Sequence, residues 1–119
     1  MNNKIIFLLA IVVILFGSCS NEKDYKVYRI DDLSMSISDT LTFVTEGSIV
    51  GVEVLITGYI NGMATLEIDN GAGRFHTIDL NENVNEVYET EWYSTNLSFK
   101  YIPIETITGD SLLIRYRMY

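Results

Sequence analysis

The chain has 119 residues, enough for one domain, and its 48% hydrophobic content supports a packed core, which excludes a disordered tail. One proline and eight glycines exclude a collagen-like or low-complexity chain. Sixteen acidic residues against eight basic ones give a formal net charge of −8. That balance argues against nucleic acid as a partner, because phosphate binding needs clustered Lys and Arg. It argues equally against electrostatic adhesion to an anionic bilayer.

The first element is an address. Met1 to Lys4 carry one positive charge, and Ile5 to Phe16 (IIFLLAIVVILF) hold no polar side-chain atom. A membrane-spanning helix needs about 20 apolar residues, so this run is too short to span. A charged start, a short apolar stretch and then Gly17 and Ser18 match a secretory signal helix over 1–18. The lone cysteine, Cys19, follows at once. Phe16-Gly17-Ser18-Cys19 resembles the lipobox of bacterial lipoproteins, with Phe16 in place of the usual Leu. The resemblance implies a diacylglycerol thioether on Cys19, cleavage before it and acylation of the new amine. Each buried acyl methylene contributes about 0.8 kcal/mol to membrane association, so two or three chains make a stable anchor.

Cleavage there would remove Lys4 and no acid, taking the formal charge from −8 to −9. It would also leave no free thiol, so stability must come from packing. Ser20 stands where an aspartate would signal inner-membrane retention, so the resemblance implies an outer-membrane destination, its facing side open. Residues 19–26 then read as the lipidated cysteine and a polar tether, and 27–119 as the folded domain.

Beyond the tether the pattern is β throughout. Tyr25 to Ile30 and Asp39 to Thr45 read as strands, with a short one around Met35 to Ile37. Gly51 to Ile60 alternates Val52, Val54 and Ile56 against Glu53, Leu55 and Thr57, as a central strand would. Asn61-Gly62 then predicts a two-residue hairpin into Met63 to Asp69, since both residues tolerate positive φ. Asp69 to Gly73 predicts a second turn, leading to a strand over Arg74 to Leu80.

Leu97, Phe99 and Tyr101 share one face of the next strand. A turn over 105–110 precedes the last, which sets Leu112, Ile114, Tyr116 and Met118 opposite Arg115 and Arg117. Seven or eight short strands predict an all-β fold, a small antiparallel sandwich of immunoglobulin-like or jelly-roll-like type. The immunoglobulin cysteine pair is absent, so a true immunoglobulin domain has no support.

Asn81 to Asn96 is the most unusual stretch of the body, with four glutamates beside Tyr88, Trp92 and Tyr93. Rings beside acids and amides can stack on and hydrogen-bond a sugar. The plainer reading is that Val84, Val87, Tyr88 and Trp92 anchor a strand or long loop to the core. Glu89 and Glu91 share a strand face about 7 Å apart, a spacing that suits a glycosidase but also most acidic strands. His76 has no second histidine or free cysteine beside it, so it predicts no zinc site and reads as a strand residue. The acids near Asp69-Asn70-Gly71 lack the spacing of a calcium loop and fit turn chemistry.

Asp39-Thr40-Leu41 and Asp110-Ser111-Leu112 resemble the acceptor of a general O-glycosylation system of some Gram-negative anaerobes, which implies modification at Thr40 and Ser111. No catalytic constellation, cofactor motif or metal-ligand set stands out. The leading expectation is a non-enzymatic protein-binding module in the cell envelope, held to the membrane by its lipid. The alternatives are a glycan binder using Tyr88, Trp92 and Tyr93, and a hydrolase using acids on the sheet face.

Overall fold

The structure is a computed structural model and describes residues 24–119 and, for Asp110, the backbone alone. The signal helix over 1–18, Cys19 and most of the tether lie outside the described residues. The body is all-β and antiparallel, with β1 (Lys26–Ile30), β2 (Ile37–Thr42), β3 (Gly51–Asp69), β4 (Phe75–Glu91), β5 (Asn96–Pro103) and β6 (Thr108–Met118).

Two long strands organise the fold. β3 pairs along its whole length with β4 on one side. On its other side it pairs first with β6, from Val52↔Met118, and then with β5, to Ile68↔Phe99. β1 continues the sheet beyond β6, and β2 does so beyond β5. The sheet thus has two halves, joined by β3 and β4, which run through both. One half carries β1, β6, the start of β3 and the end of β4. The other carries β2, β5, the end of β3 and the start of β4.

The halves fold face to face and enclose the core. Tyr28 of β1 meets Phe99 of β5 edge-on, centroids 5.1 Å apart, and Phe43 meets Tyr116 of β6 at 6.3 Å. Val52, Val54, Ile56, Leu66, Ile68, Leu97, Phe99, Leu112 and Ile114 are buried between them. Alternation puts them there, since successive strand side chains take opposite faces. Four strand segments line each half, because β3 and β4 serve both; the seven or eight short strands of the sequence become six among the described residues, two of them long.

The expected hairpin at Asn61-Gly62 is not a turn. β3 continues through it as strand, and the register against β4 slips between Ile60 and Met63. Gly62, at φ 131°, sits where β3 changes partner from β6 to β5. Glycine's tolerance of positive φ is used for a bend across the layers rather than for reversal. The reversal comes at the second turn, where the Asn70 amide donates to the Arg74 carbonyl at 3.0 Å. The strand expected to reach Thr45 ends at Thr42, and the Met35 to Ile37 segment is the entry to β2.

Side chains close the margin where β1 and β2 face each other. Tyr101, fully buried, donates to the Leu33 carbonyl at 2.7 Å and holds the connecting loop. Tyr28 donates to the Asp39 carboxylate at 2.5 Å. That bond pushes the phenol up to about 12, with burial adding to it. It also holds the Asp39 carboxyl below its ordinary range, helped by the Thr40 amide.

Asp39 stabilises the fold above its unfolded value near 3.9 and loses that contribution as pH falls; Tyr28 contributes below pH 10 and loses it toward pH 12. Tyr28→Phe should therefore destabilise by about 1 kcal/mol at neutral pH, an exposed pair being partly screened. Thermal melts should show that gap narrowing below about pH 4 and above about pH 10. A gap of constant size from pH 3 to pH 11 would show that the bond is not formed.

Candidate functional site

Asn81 to Asn96 is mostly strand. Its first part is the second half of β4, and the turn that follows leads to β5. Register against β3 decides where each side chain goes. Val84, Glu86, Tyr88 and Thr90 pair with Gly58, Ile56, Val54 and Val52 and share their inward face. Asn85, Val87, Glu89 and Glu91 face outward. Val87 therefore does not anchor the core as expected; it is 63% exposed. Glu86 faces inward yet stays exposed, because β4 is the sheet margin.

The three candidate rings do not form one platform. Tyr88 is half-buried and stacks on His76, centroids 4.6 Å apart and 16° from parallel. His76 comes from the first half of β4 and Tyr88 from the second, so this stack closes the margin where β4 faces itself. Trp92 is buried, and among the described residues its Nε1 has no hydrogen-bond partner. Tyr93 is 72% exposed.

Trp92 lies where the hairpin tip returns to the base of its own strand pair. Its amide donates to the Val50 carbonyl at 3.2 Å, and a methyl on Gly71 would stand 3.2 Å from its ring. An open cleft of about 600 Å³ lies here, lined by Asp69, Asn70, Trp92, Tyr93 and Asn96 among others. The Asp69 and Asn70 carboxyl and amide oxygens accept from the Gly71 and Ala72 amides, so the tip is closed by its own turn chemistry.

The acid pair expected on one face is present but divided. Glu89 accepts from Tyr119 at 2.6 Å, and Glu91 accepts from Tyr93 at 3.1 Å. Each bond raises its phenol's pKa. Beyond Glu89 a polar network crosses the outer face: Arg117 lies over the Tyr119 ring at 4.4 Å and 3.8 Å from Glu53, whose carboxylate accepts from Tyr25. Glu53 is buried on this outward face because Tyr25 and Arg117 cover it. The network pins residue 25, where the chain enters the domain. Among the described residues no group of three or more His, Cys, Asp or Glu is placed to hold a metal ion.

The two acceptor-like sites sit on strands. Thr40 is on exposed β2, its amide bonded to Asp39 at 2.8 Å. Ser111 is partly covered on β6, in a ribbon flanked by β1 and β3.

Sequence reasoning missed the most distinctive feature, the outer edge of β4. The Trp92 amide bonds to Val50, and antiparallel pairs alternate between bonded and unbonded. The bonded pairs are therefore 52/90, 54/88, 56/86 and 58/84. Asn83, Asn85, Val87, Glu89 and Glu91 consequently point N–H and C=O away from β3. Gly51 and Tyr119 exchange both their bonds, at 2.9 and 3.0 Å, which fits the same phase on the other side. Among the described residues no strand pairs with this edge. Glu82, at φ 53°, marks its upstream limit. The only available signal was the odd-numbered alternation of Asn83, Asn85, Glu89 and Glu91, which resembles a polar loop.

No protein-family model matches the chain, and no curated protein matches it. Among solved structures, the crystal structure of PirA is similar at 15% identity, covering 83% of this chain and 99% of that one with a TM-score of 0.47.

Proposed function

We propose that this protein is a lipid-anchored adaptor of the bacterial cell envelope, non-enzymatic, which holds a partner protein at the outer membrane by accepting one of its strands. The observation that supports this reading is the outer edge of β4 from Asn83 to Glu91, which pairs with no strand among the described residues. Exposed edges template pairing with other chains unless they are covered, shortened or charged; Glu86, Glu89 and Glu91 charge this one, which bars an acidic strand and admits a basic one. Here the edge belongs to a strand of 17 residues, against 5 and 6 in β1 and β2 on the opposite margin. The anchor is Cys19, with residues up to Tyr25 as the leash and the Tyr25–Glu53 contact as its fastening to the body.

Trp92 and Tyr93 line one cleft while Tyr88 stacks on His76 outside it, and Trp92 is buried, so the three rings offer no common stacking face for a glycan. The separate phenol partners of Glu89 and Glu91 give no support to a hydrolase.

Val87→Pro tests the reading. Val87 does not donate its amide to β3, so proline there removes an edge donor and leaves the ladder intact. The detergent-solubilised full chain should capture a defined envelope partner, and Val87→Pro should lose it while keeping the wild-type melting temperature to within a few degrees. Undiminished capture by the variant would overturn the edge. An amino terminus found unprocessed and unacylated by mass spectrometry would overturn the anchor.

A further inference from the structure

Resting on that reading, we propose that the partner segment is a basic, extended stretch of about nine residues, added antiparallel to Asn83–Glu91. The edge itself sets these terms. Glu82 leaves strand geometry at φ 53° and ends the regular edge on one side, and the turn at Trp92 ends it on the other. Every other contact in the sheet is antiparallel, and that geometry gives straight, perpendicular bonds.

Charge fixes the composition. The segment from Asn83 to Glu91 holds Glu86, Glu89 and Glu91 and no cation. Opposite charges directly across a strand pair attract, and like charges repel. An incoming strand would meet Glu89 and Glu91 on the outer face and Glu86 on the inner one, so Lys or Arg belongs at those three positions. Opposite exposed Val87 a β-branched apolar residue fits the pleat. Read along the partner, the order is basic, any, basic, any, apolar, basic. The same three acids disfavour a second copy of this chain, since two such edges would set six carboxylates together with no cation in either segment.

Two synthetic peptides test this against the full chain in detergent: acetylated Lys-Thr-Lys-Thr-Val-Lys-Thr-Val-Thr and its counterpart with every Lys replaced by Glu. The lysine peptide should bind, and the glutamate peptide should bind at least about tenfold more weakly. Hydrogen exchange should slow at the Val87 and Glu89 amides on binding, and raised salt should weaken it. Glu86→Gln combined with Glu89→Gln and Glu91→Gln should erase the preference between the peptides.

Equal binding of both peptides, or protection elsewhere than on β4, would overturn the inference. If neither peptide binds while capture of the natural partner still depends on Val87, the basic segment is wrong and the edge reading stands. If capture ignores Val87→Pro, the edge reading itself falls.

Discussion

Phe99→Ala should lower the melting temperature of the domain by about 15–25 °C, the cost being about 3–5 kcal/mol. Phe99 is 1% exposed and belongs to β5, yet its ring meets Tyr28 of β1 in the opposite half at 5.1 Å and 79°. It therefore supports both halves of the folded sheet at once. Its strand neighbours are Asp39 on β2 and Ile68 on β3, so the cavity would open beside the Tyr28–Asp39 bond. Backbone pairing on both flanks limits how far the site can collapse, which places the cost in the upper part of the usual range. Against a domain stability of about 5–15 kcal/mol this is a large loss. Urea denaturation should show a lower midpoint with the slope unchanged. A shift of less than about 3 °C would mean that Phe99 does not bridge the halves.

The fold class was legible because burial on this sheet follows alternation closely. Leu112, Ile114, Tyr116 and Met118 are inward and buried, and Arg115 and Arg117 outward, as their spacing predicts. Strand length was not legible. Asn-Gly at 61–62 carries the local chemistry of a reversal, but β5 and β6 lie end to end along one side of β3 and keep it extended through that point. Tertiary pairing overrode a local preference.

The second half of β4 was hidden for a related reason. A marginal strand buries few side chains, so Glu86 can face inward and Val87 outward, and the apolar period that identifies a strand is lost. Trp92 was legible as a large ring needing burial. What buries it, the returning tip at Gly71, depends on the bend of the whole sheet and leaves no mark in the nearby sequence.

The bend makes Gly58→Ala the second large effect. Gly58 lies at φ 151°, next to the register slip between β3 and β6. A β-carbon there would stand 2.4 Å from the Ser111 carbonyl oxygen and 2.9 Å from Leu112 Cδ2. The oxygen is main chain, on a strand bonded to β1 on its other side, so it cannot turn away as a flexible side chain would. Relief requires β3 and β6 to separate locally, which disturbs the pairing of Ile56↔Ile114 and Ile60↔Gly109 in the core. Overpacking costs about 1–3 kcal/mol and the unfavourable backbone angle adds on the order of 1 kcal/mol, so about 2–4 kcal/mol is expected.

Gly73→Ala is the matched control. Gly73 has φ 76°, but a methyl there meets nothing within 4 Å among the described residues, so only the backbone contribution remains, about 1 kcal/mol. Chemical denaturation of the two variants should therefore separate them by at least about 1 kcal/mol. Hydrogen exchange should place the added opening of Gly58→Ala in β6 and β1, because those strands must move to admit the methyl. Equal losses in both variants would show that the close approach of β3 to β6 is not what the glycine provides, and that its backbone angle alone accounts for the residue.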